Sequence, residues 1–191
     1  MNDYYDINSK EYFESTFHVD PSSFLSPLAS RLKKGFTLLD IGCGSGRDLL
    51  WFYEKGFQPT GLERAPNLAE LARQNSSCPV IEADFLIYDF SQLQFDALLA
   101  IGSFVHLDRK QFSSVLNSVC MGLKNEGYIY LTLKEGEGKQ TNQDGRTFTL
   151  WQQHELEEVF VQHQLLVLDF SRQVSKIRKS DVWLGYLLQK K

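Results

Sequence analysis

The sequence predicts an α/β fold, a three-layer sandwich in which helices cover both faces of a mostly parallel, seven-stranded sheet with an antiparallel last strand. Three observations carry this. Short apolar runs alternate with amphipathic helical segments along most of the chain, the pattern of parallel strands joined by crossover helices. The run at 95–101 is almost continuously apolar, as expected of a strand covered on both faces. The last two runs, 165–171 and 181–188, lie only about nine residues apart, too few for a crossover helix, so the final strand is expected to reverse.

The elements follow in order. Tyr4, Tyr5, Tyr12, Phe13 and Phe17 give the N-terminal segment a helical character. Pro21 and Pro27 punctuate the next stretch. There Leu25, Leu28 and Leu32 share one helical face until Lys33-Lys34-Gly35 ends it. A first strand at 36–41 opens into a glycine-rich turn. A helix at 48–55 stops at Gly56. A second strand at 58–62 leads to a helix at 67–74 introduced by Pro66. Strands at 80–83, 95–101 and 127–133 follow, with a helix at 109–123 before the last of these. The stretch 134–145 is polar and glycine-rich without apolar period and is expected to be a loop ending in an Asp144-Gly145 turn. A helix at 152–163 precedes the terminal hairpin.

Composition bounds the function. With 191 residues, 42% hydrophobic and 23% charged, the chain is long enough to bury its own core and too apolar to be disordered throughout. The formal net charge of −4 argues against nucleic acid as a partner held by overall charge. Cys43, Cys78 and Cys120 are odd in number and widely spaced, as reduced cytoplasmic thiols are. The polar, acidic start from Met1 to Asp6 has no signal pattern, and no apolar run approaches the roughly 20 residues of a membrane span. A soluble cytoplasmic protein is expected. No His, Asp or Glu cluster has ligand spacing, so no metal is expected.

The chemistry begins at Asp40-Ile41-Gly42-Cys43-Gly44-Ser45-Gly46-Arg47. A strand ends, glycines turn the backbone, and a helix starts. Such a turn lets main-chain atoms approach a ligand closely, and the helix start favours negative charge. Asp40 just before it is costly to bury without a donor, which a ligand ammonium would supply. Glu63 ends the second strand, where a carboxylate can take two ribose hydroxyls. Asp84 and Phe85 follow the third strand, and an acid beside a ring suits an adenine. A nicotinamide dehydrogenase also wants a glycine turn and a distant acid, but its spacing is G-x-G-x-x-G. Here the glycines stand at 42, 44 and 46 with Arg at 47. That pattern also gives no reason for Asp40 or Asp84.

These motifs resemble the class I, Rossmann-like methyltransferases that use S-adenosylmethionine (SAM), over a stretch from about residue 36 to the C-terminus. Asp40 to Gly46 is similar to the family's first motif. Glu63 matches its ribose position, Asp84-Phe85 its adenine contact, and 95–107, through Ile101, Gly102 and Ser103, its fourth-strand motif. Leu123-Lys124-Asn125-Glu126-Gly127 resembles the turn before the fifth strand, with Asn125 and Glu126 departing from the commoner Pro-Gly. The resemblance implies that SAM is bound by Asp40, Gly42, Cys43, Gly44, Gly46, Arg47, Glu63, Arg64, Asp84, Phe85, Ile101, Gly102 and Ser103, with S-adenosylhomocysteine (SAH) as product. It implies a helical cap at 1–34 on a SAM-binding domain at 35–191, together one compact unit.

On the acceptor side the sequence says less. No Pro-Pro-Tyr-like or Pro-Cys motif of the nucleobase methyltransferases is present. By analogy with the family, Tyr4, Tyr12, His18, Lys134, Arg146 and Trp151 are candidates for contact with a small-molecule acceptor. His106 is a candidate general base, and Lys134 with Arg146 a candidate anion holder. Two further readings remain open at this stage: a SAM-binding domain without catalysis, and methylation of protein or RNA.

Overall fold

The structure is a computed structural model that describes residues 4–191. Met1 to Asp3, the start of the stretch read against a signal pattern, lie outside the described residues. The chain opens with helices α1 (Tyr4–Ile7), α2 (Ser9–Thr16) and α3 (Ser22–Ala29). Then come β1 (Thr37–Ile41), α4 (Arg47–Glu54), β2 (Gln58–Glu63), α5 (Pro66–Ser76), β3 (Val80–Glu82) and β4 (Phe95–Ile101). The second half contains α6 (Arg109–Met121), β5 (Leu123–Glu135), β6 (Lys139–Thr141), β7 (Thr147–Trp151), α7 (Gln153–Gln162), β8 (Leu165–Val174) and β9 (Val182–Lys190).

The main sheet runs β3-β2-β1-β4-β5-β9-β8, with the first five strands parallel and β9 antiparallel to both neighbours. The α/β fold with a reversed last strand is thus as expected. Side-chain alternation makes the three layers. Leu39 and Ile41 of β1 and Leu98 and Ala100 of β4 face one core, filled by Phe112, Leu116 and Val119 of α6 and Phe160 of α7. Leu38, Ala97 and Leu99 face the other, with Phe52 of α4 and Leu25 and Leu28 of α3. The N-terminal segment therefore shares the sheet's core through α3.

Among the described residues the sheet has nine strands rather than seven. The stretch expected to be a loop contains β6, which pairs antiparallel with β7, and β7 continues parallel to the tip of β5 at Lys134 and Glu135. Its sequence Lys-Gln-Thr has no apolar alternation because an edge strand can be held by main-chain hydrogen bonds alone. The Asp144-Gly145 turn lies between the two strands, where expected. The helix around Leu25 ends at Ala29, earlier than its leucine spacing suggests, and Leu32 packs from the loop beyond.

Helix ends follow local chemistry. Asp108 and Gln111 cap α6 reciprocally, and Pro66 opens α5 without wasting an amide. Gly46 at the start of α4 is left-handed, with φ +88°, and a Cβ there would lie 2.8 Å from the Cα of Ala72 and 2.9 Å from its carbonyl oxygen. The turn and α5 thus meet main chain to main chain. We expect Gly46→Ala to destabilise the fold by about 2–4 kcal/mol, from the left-handed penalty and from overpacking against backbone. Gly35→Ala, at φ +83° in open space, should cost about 1 kcal/mol. Urea midpoints of the two variants check this, and equal losses would refute it.

Candidate active site

The end of β1 delivers the chain into the glycine-rich turn beside the ends of β2 and β4. The amides of Gly42 and Cys43 both reach the carbonyl of Leu62, at 2.7 and 3.2 Å. Glu63, the last residue of β2, is buried, and its carboxylate holds the turn. Its Oε2 accepts from the Gly44 amide at 2.9 Å, and its Oε1 accepts from those of Arg64 and Ala65, each at 2.9 Å. A carboxylate can accept about four hydrogen bonds, so one acceptor position remains on Oε2. Burial raises the Glu63 pKa, and the three amides pull it back.

Asp40 is only 2% exposed, and its Oδ2 has no hydrogen-bond partner. Burial first, then the negative charge of Asp48, pushes its pKa well above the carboxylate range. The Oγ of Ser103 is likewise buried and without a partner, and a Cβ on Gly42 would lie 2.5 Å from the Ser103 Cβ. Two orphan oxygens thus flank one turn. Buried polar atoms are costly when unpaired, so this end is built for a ligand carrying donors, an ammonium included. The donor set fits the amino-acid and ribose ends of SAM.

A cavity of about 510 Å³ lies over the turn, within the range of small-molecule sites. Gly42, Cys43, Gly44, Arg47, Ile101 and Gly102 line it from the sheet. From above, α1 and α2 cover it. The Asp6 carboxylate accepts from the Asn67 amide at 2.9 Å, an acid at the N-terminal turn of α5. The Tyr12 ring rests on Gly44, where a Cβ would lie 3.2 Å from its Cε1. Arg47 forms a two-pronged pair with buried Asp48, at 2.7 and 3.0 Å.

The far end of the cavity is aromatic. Tyr4, Tyr5, Phe148 and Trp183 line it together with Lys134 and Arg146. Tyr5 Oη lies 2.7 Å from His106 Nε2, and His106 Nδ1 lies 2.7 Å from the Thr147 carbonyl. A carbonyl only accepts, so Nδ1 carries the proton and neutral Nε2 accepts from the tyrosine. Burial lowers the His106 pKa, which favours the neutral ring. Arg146 donates two N–H groups to Asp144 Oδ2, at 2.8 and 3.1 Å, and a longer one to Tyr5 Oη at 3.5 Å. Lys134 pairs with Asp181 at 2.5 Å, both buried, and its Nζ sits 4.0 Å over the Phe148 ring.

The sequence-predicted residues therefore sort by place. Asp40, Gly42, Cys43, Gly44, Gly46, Arg47, Glu63, Ile101, Gly102 and Ser103 gather at the turn. Asp84 accepts from the Leu86 amide and faces Arg64 at 3.8 Å, while Phe85 lies edge-on to Phe104, so these stand beside the cavity rather than in its wall. Tyr4, Tyr12, Lys134 and Arg146 line the cavity. His106 reaches it only through Tyr5. Two expectations are corrected. Trp151 is 1% exposed, stacked between Phe112 and Arg109 in the core, because β7 turns it inward. His18 is exposed at the end of α2 against Phe13 and Phe17. The expectation that Lys134 and Arg146 hold an anion meets two cations already matched to carboxylates. Tyr5, Phe148, Asp181 and Trp183 were not singled out from sequence; only the hairpin topology brings them together.

Residues 38–127 match the methyltransferase domain family. That stretch is similar to a methyltransferase domain, and the fold is that of the class I methyltransferases. The family's methyl donor is SAM. The chain is 27% identical over 167 residues to a sterol 4-C-methyltransferase of Caenorhabditis elegans, covering 74% of this chain and 49% of that enzyme. It thus spans about half the length of this curated relative. Its fold matches the Burkholderia thailandensis 1,6-didemethyltoxoflavin-N1-methyltransferase, solved with its substrate and SAH, at TM-score 0.75 and 20% identity, covering 98% of this chain and 84% of that one. It also matches the magnesium protoporphyrin IX methyltransferase of Synechocystis, solved with SAH, at TM-score 0.77 and 10% identity, covering 99% and 97%. Among the described residues no cluster of metal-ligating side chains occurs, and no helix is long and apolar enough to cross a membrane.

Asp40 combines a binding role with a stability cost. Its raised pKa means that, over a range of pH above the ordinary aspartate value, the native state holds a proton the unfolded chain has lost. Stability contributed by the protonated form is therefore full below the ordinary aspartate pKa and is lost as pH rises toward the raised value. We expect Asp40→Asn to stabilise the protein at pH 7 by about 1–2 kcal/mol, read by thermal melts across pH, and to weaken SAH binding about tenfold or more, read by calorimetry. Loss of stability with unchanged affinity would remove Asp40 from the site.

Proposed function

We propose that the protein is a SAM-dependent enzyme transferring a methyl group to an oxygen or nitrogen of a small-molecule acceptor, acting in the cytoplasm. The observation that carries this reading is that one partly open cavity runs from the glycine-rich turn to Tyr5 and Arg146. Donor pocket and acceptor chamber are continuous, as transfer between two bound molecules requires. The acceptors named for the three relatives, a sterol, a toxoflavin precursor and a porphyrin, are small molecules, which supports the same class here. Three unpaired cysteines accord with a reducing compartment.

Bound SAM supplies a methyl group already activated by its sulfonium. The chain's task is then to place, desolvate and deprotonate a nucleophile. Asp40 and Ser103 take the amino-acid end, the free acceptor position of Glu63 takes a ribose hydroxyl, and Asp84 with Phe85 serve the adenine. Segment 1–34 acts as a cap on the domain at 35–191, excluding water. Neutral His106 serves as the base, since its Nε2 is the only ring nitrogen not held by a carbonyl.

Titration of the purified protein with SAH, with NAD as control, tests the donor assignment. Micromolar SAH binding with none for NAD is expected, and binding of NAD alone would overturn the reading. Glu63→Ala should weaken SAH binding by about 1–3 kcal/mol, the scale of hydrogen bonds to a charged group. An unchanged dissociation constant would contradict the ribose role.

A further inference from the structure

Resting on that reading, the geometry points to an acceptor that is an uncharged, flat aromatic or heteroaromatic molecule with an O–H or N–H, whose proton passes to Tyr5 and from Tyr5 to His106. Two independent features carry it: the wall of the acceptor chamber and the hydrogen-bond inventory of Tyr5.

Four aromatic rings line the chamber beside its charged pairs. Tyr4 and Tyr5 come from the cap, Phe148 from the extra hairpin and Trp183 from the reversed last strand. Arg146 lies 4.5 Å over Tyr4, and Trp183 carbons come within 3.4 Å of a Cβ built on Gly102, so the slot narrows between cap and sheet. Such walls favour planar ligands, which stack on rings at little loss of freedom. Each cation here already faces a carboxylate, with Asp144 shared by Arg146 and Arg178. Lys134 is paired with Asp181, and Arg146 with Asp144. At the mouth, Arg178 lies 3.6 Å from Asp144 and Lys176 lies 3.8 Å from Asp20. An anionic acceptor would have to face these carboxylates or displace them, which costs like-charge repulsion. A cation would meet their guanidinium and ammonium partners. A neutral ring system meets neither cost.

The phenol of Tyr5 has one proton and two lone pairs. Its proton goes to His106 Nε2 and one lone pair accepts from Arg146, leaving one lone pair open toward the cavity. Tyr5 lines the cavity and His106 does not, so His106 acts through Tyr5. When an acceptor O–H or N–H bond breaks, its electron pair stays on the acceptor heteroatom for bond formation with the methyl carbon. The proton goes to Tyr5 Oη as the phenol's own proton forms the new N–H bond at His106 Nε2. Tyr5 ends neutral, and His106 ends as an imidazolium that returns its proton to water. The Thr147 carbonyl on Nδ1–H fixes the ring and stabilises that cation. The charged and titratable groups facing His106 are Tyr5 of α1, Lys134 of β5, and Asp144 and Arg146 of the β6–β7 turn.

The test uses the full chain saturated with SAH, so that failure of the donor reading shows first, as absence of SAH binding. To that complex 2-naphthol and 2-naphthoate are titrated by calorimetry: two flat bicyclic probes, one neutral with an O–H and one anionic. We expect 2-naphthol to bind about tenfold or more tighter than 2-naphthoate. Equal or tighter binding of the carboxylate, or no binding of 2-naphthol to the SAH complex, would overturn the proposal. Imidazole nitrogen resonances followed by NMR supply the second readout. Adding 2-naphthol should move the His106 Nε2 signal in the native chain and leave it in place in Tyr5→Phe. A shift that persists in Tyr5→Phe would show that the ligand reaches His106 directly and would eliminate the relay.

Discussion

The Glu63 carboxylate is the point on which the binding end depends. It reaches from the tip of β2 to the Gly44 amide of the turn after β1 and to two amides at the approach to α5. The turn after β1, 19 residues away in sequence, is thereby set at a fixed distance from the tip of β2 and the approach to α5. An acid buried to this degree raises the free energy of its ionised form, and the three amides offset that cost. The glycines answer the same constraint from the other side. With backbone amides aimed at Glu63 and Ala72 pressing on Gly46, the turn has no room for side chains facing α5 or the cap.

Asp40 and Ser103 show the complementary economy. Their oxygens are buried with no partner, where the fold alone would be better served by apolar groups. A ligand bound at the turn would complete both. Stability spent at the turn therefore marks the same place that the glycines mark by geometry, and the two indications are independent.

Much of this was legible in the sequence, because the relevant constraints are local. The strand–turn–helix at 36–55 needs glycines where the backbone turns, and the acids at the ends of β1 and β2 follow within a few residues. The almost continuous apolar run of β4 announced a strand covered on both faces. The acceptor end was less legible because it is made by long-range pairing. Tyr5 meets His106 across 101 positions, and Lys134 meets Asp181 across 47. Strand β6 was missed because an edge strand of Lys-Gln-Thr has no apolar face to advertise it. Trp151 was misplaced for the same reason, since the hairpin decides which way its side chain turns.

The cap joins the two ends. Asp6 of α1 is anchored on α5, which follows β2, and Tyr5, its neighbour in sequence, is hydrogen-bonded to His106, which follows β4. A four-residue helix too short to be stable alone is thus held by contacts at both sides of the cavity it covers. Whatever holds α1 down over the cavity also holds Tyr5 against His106.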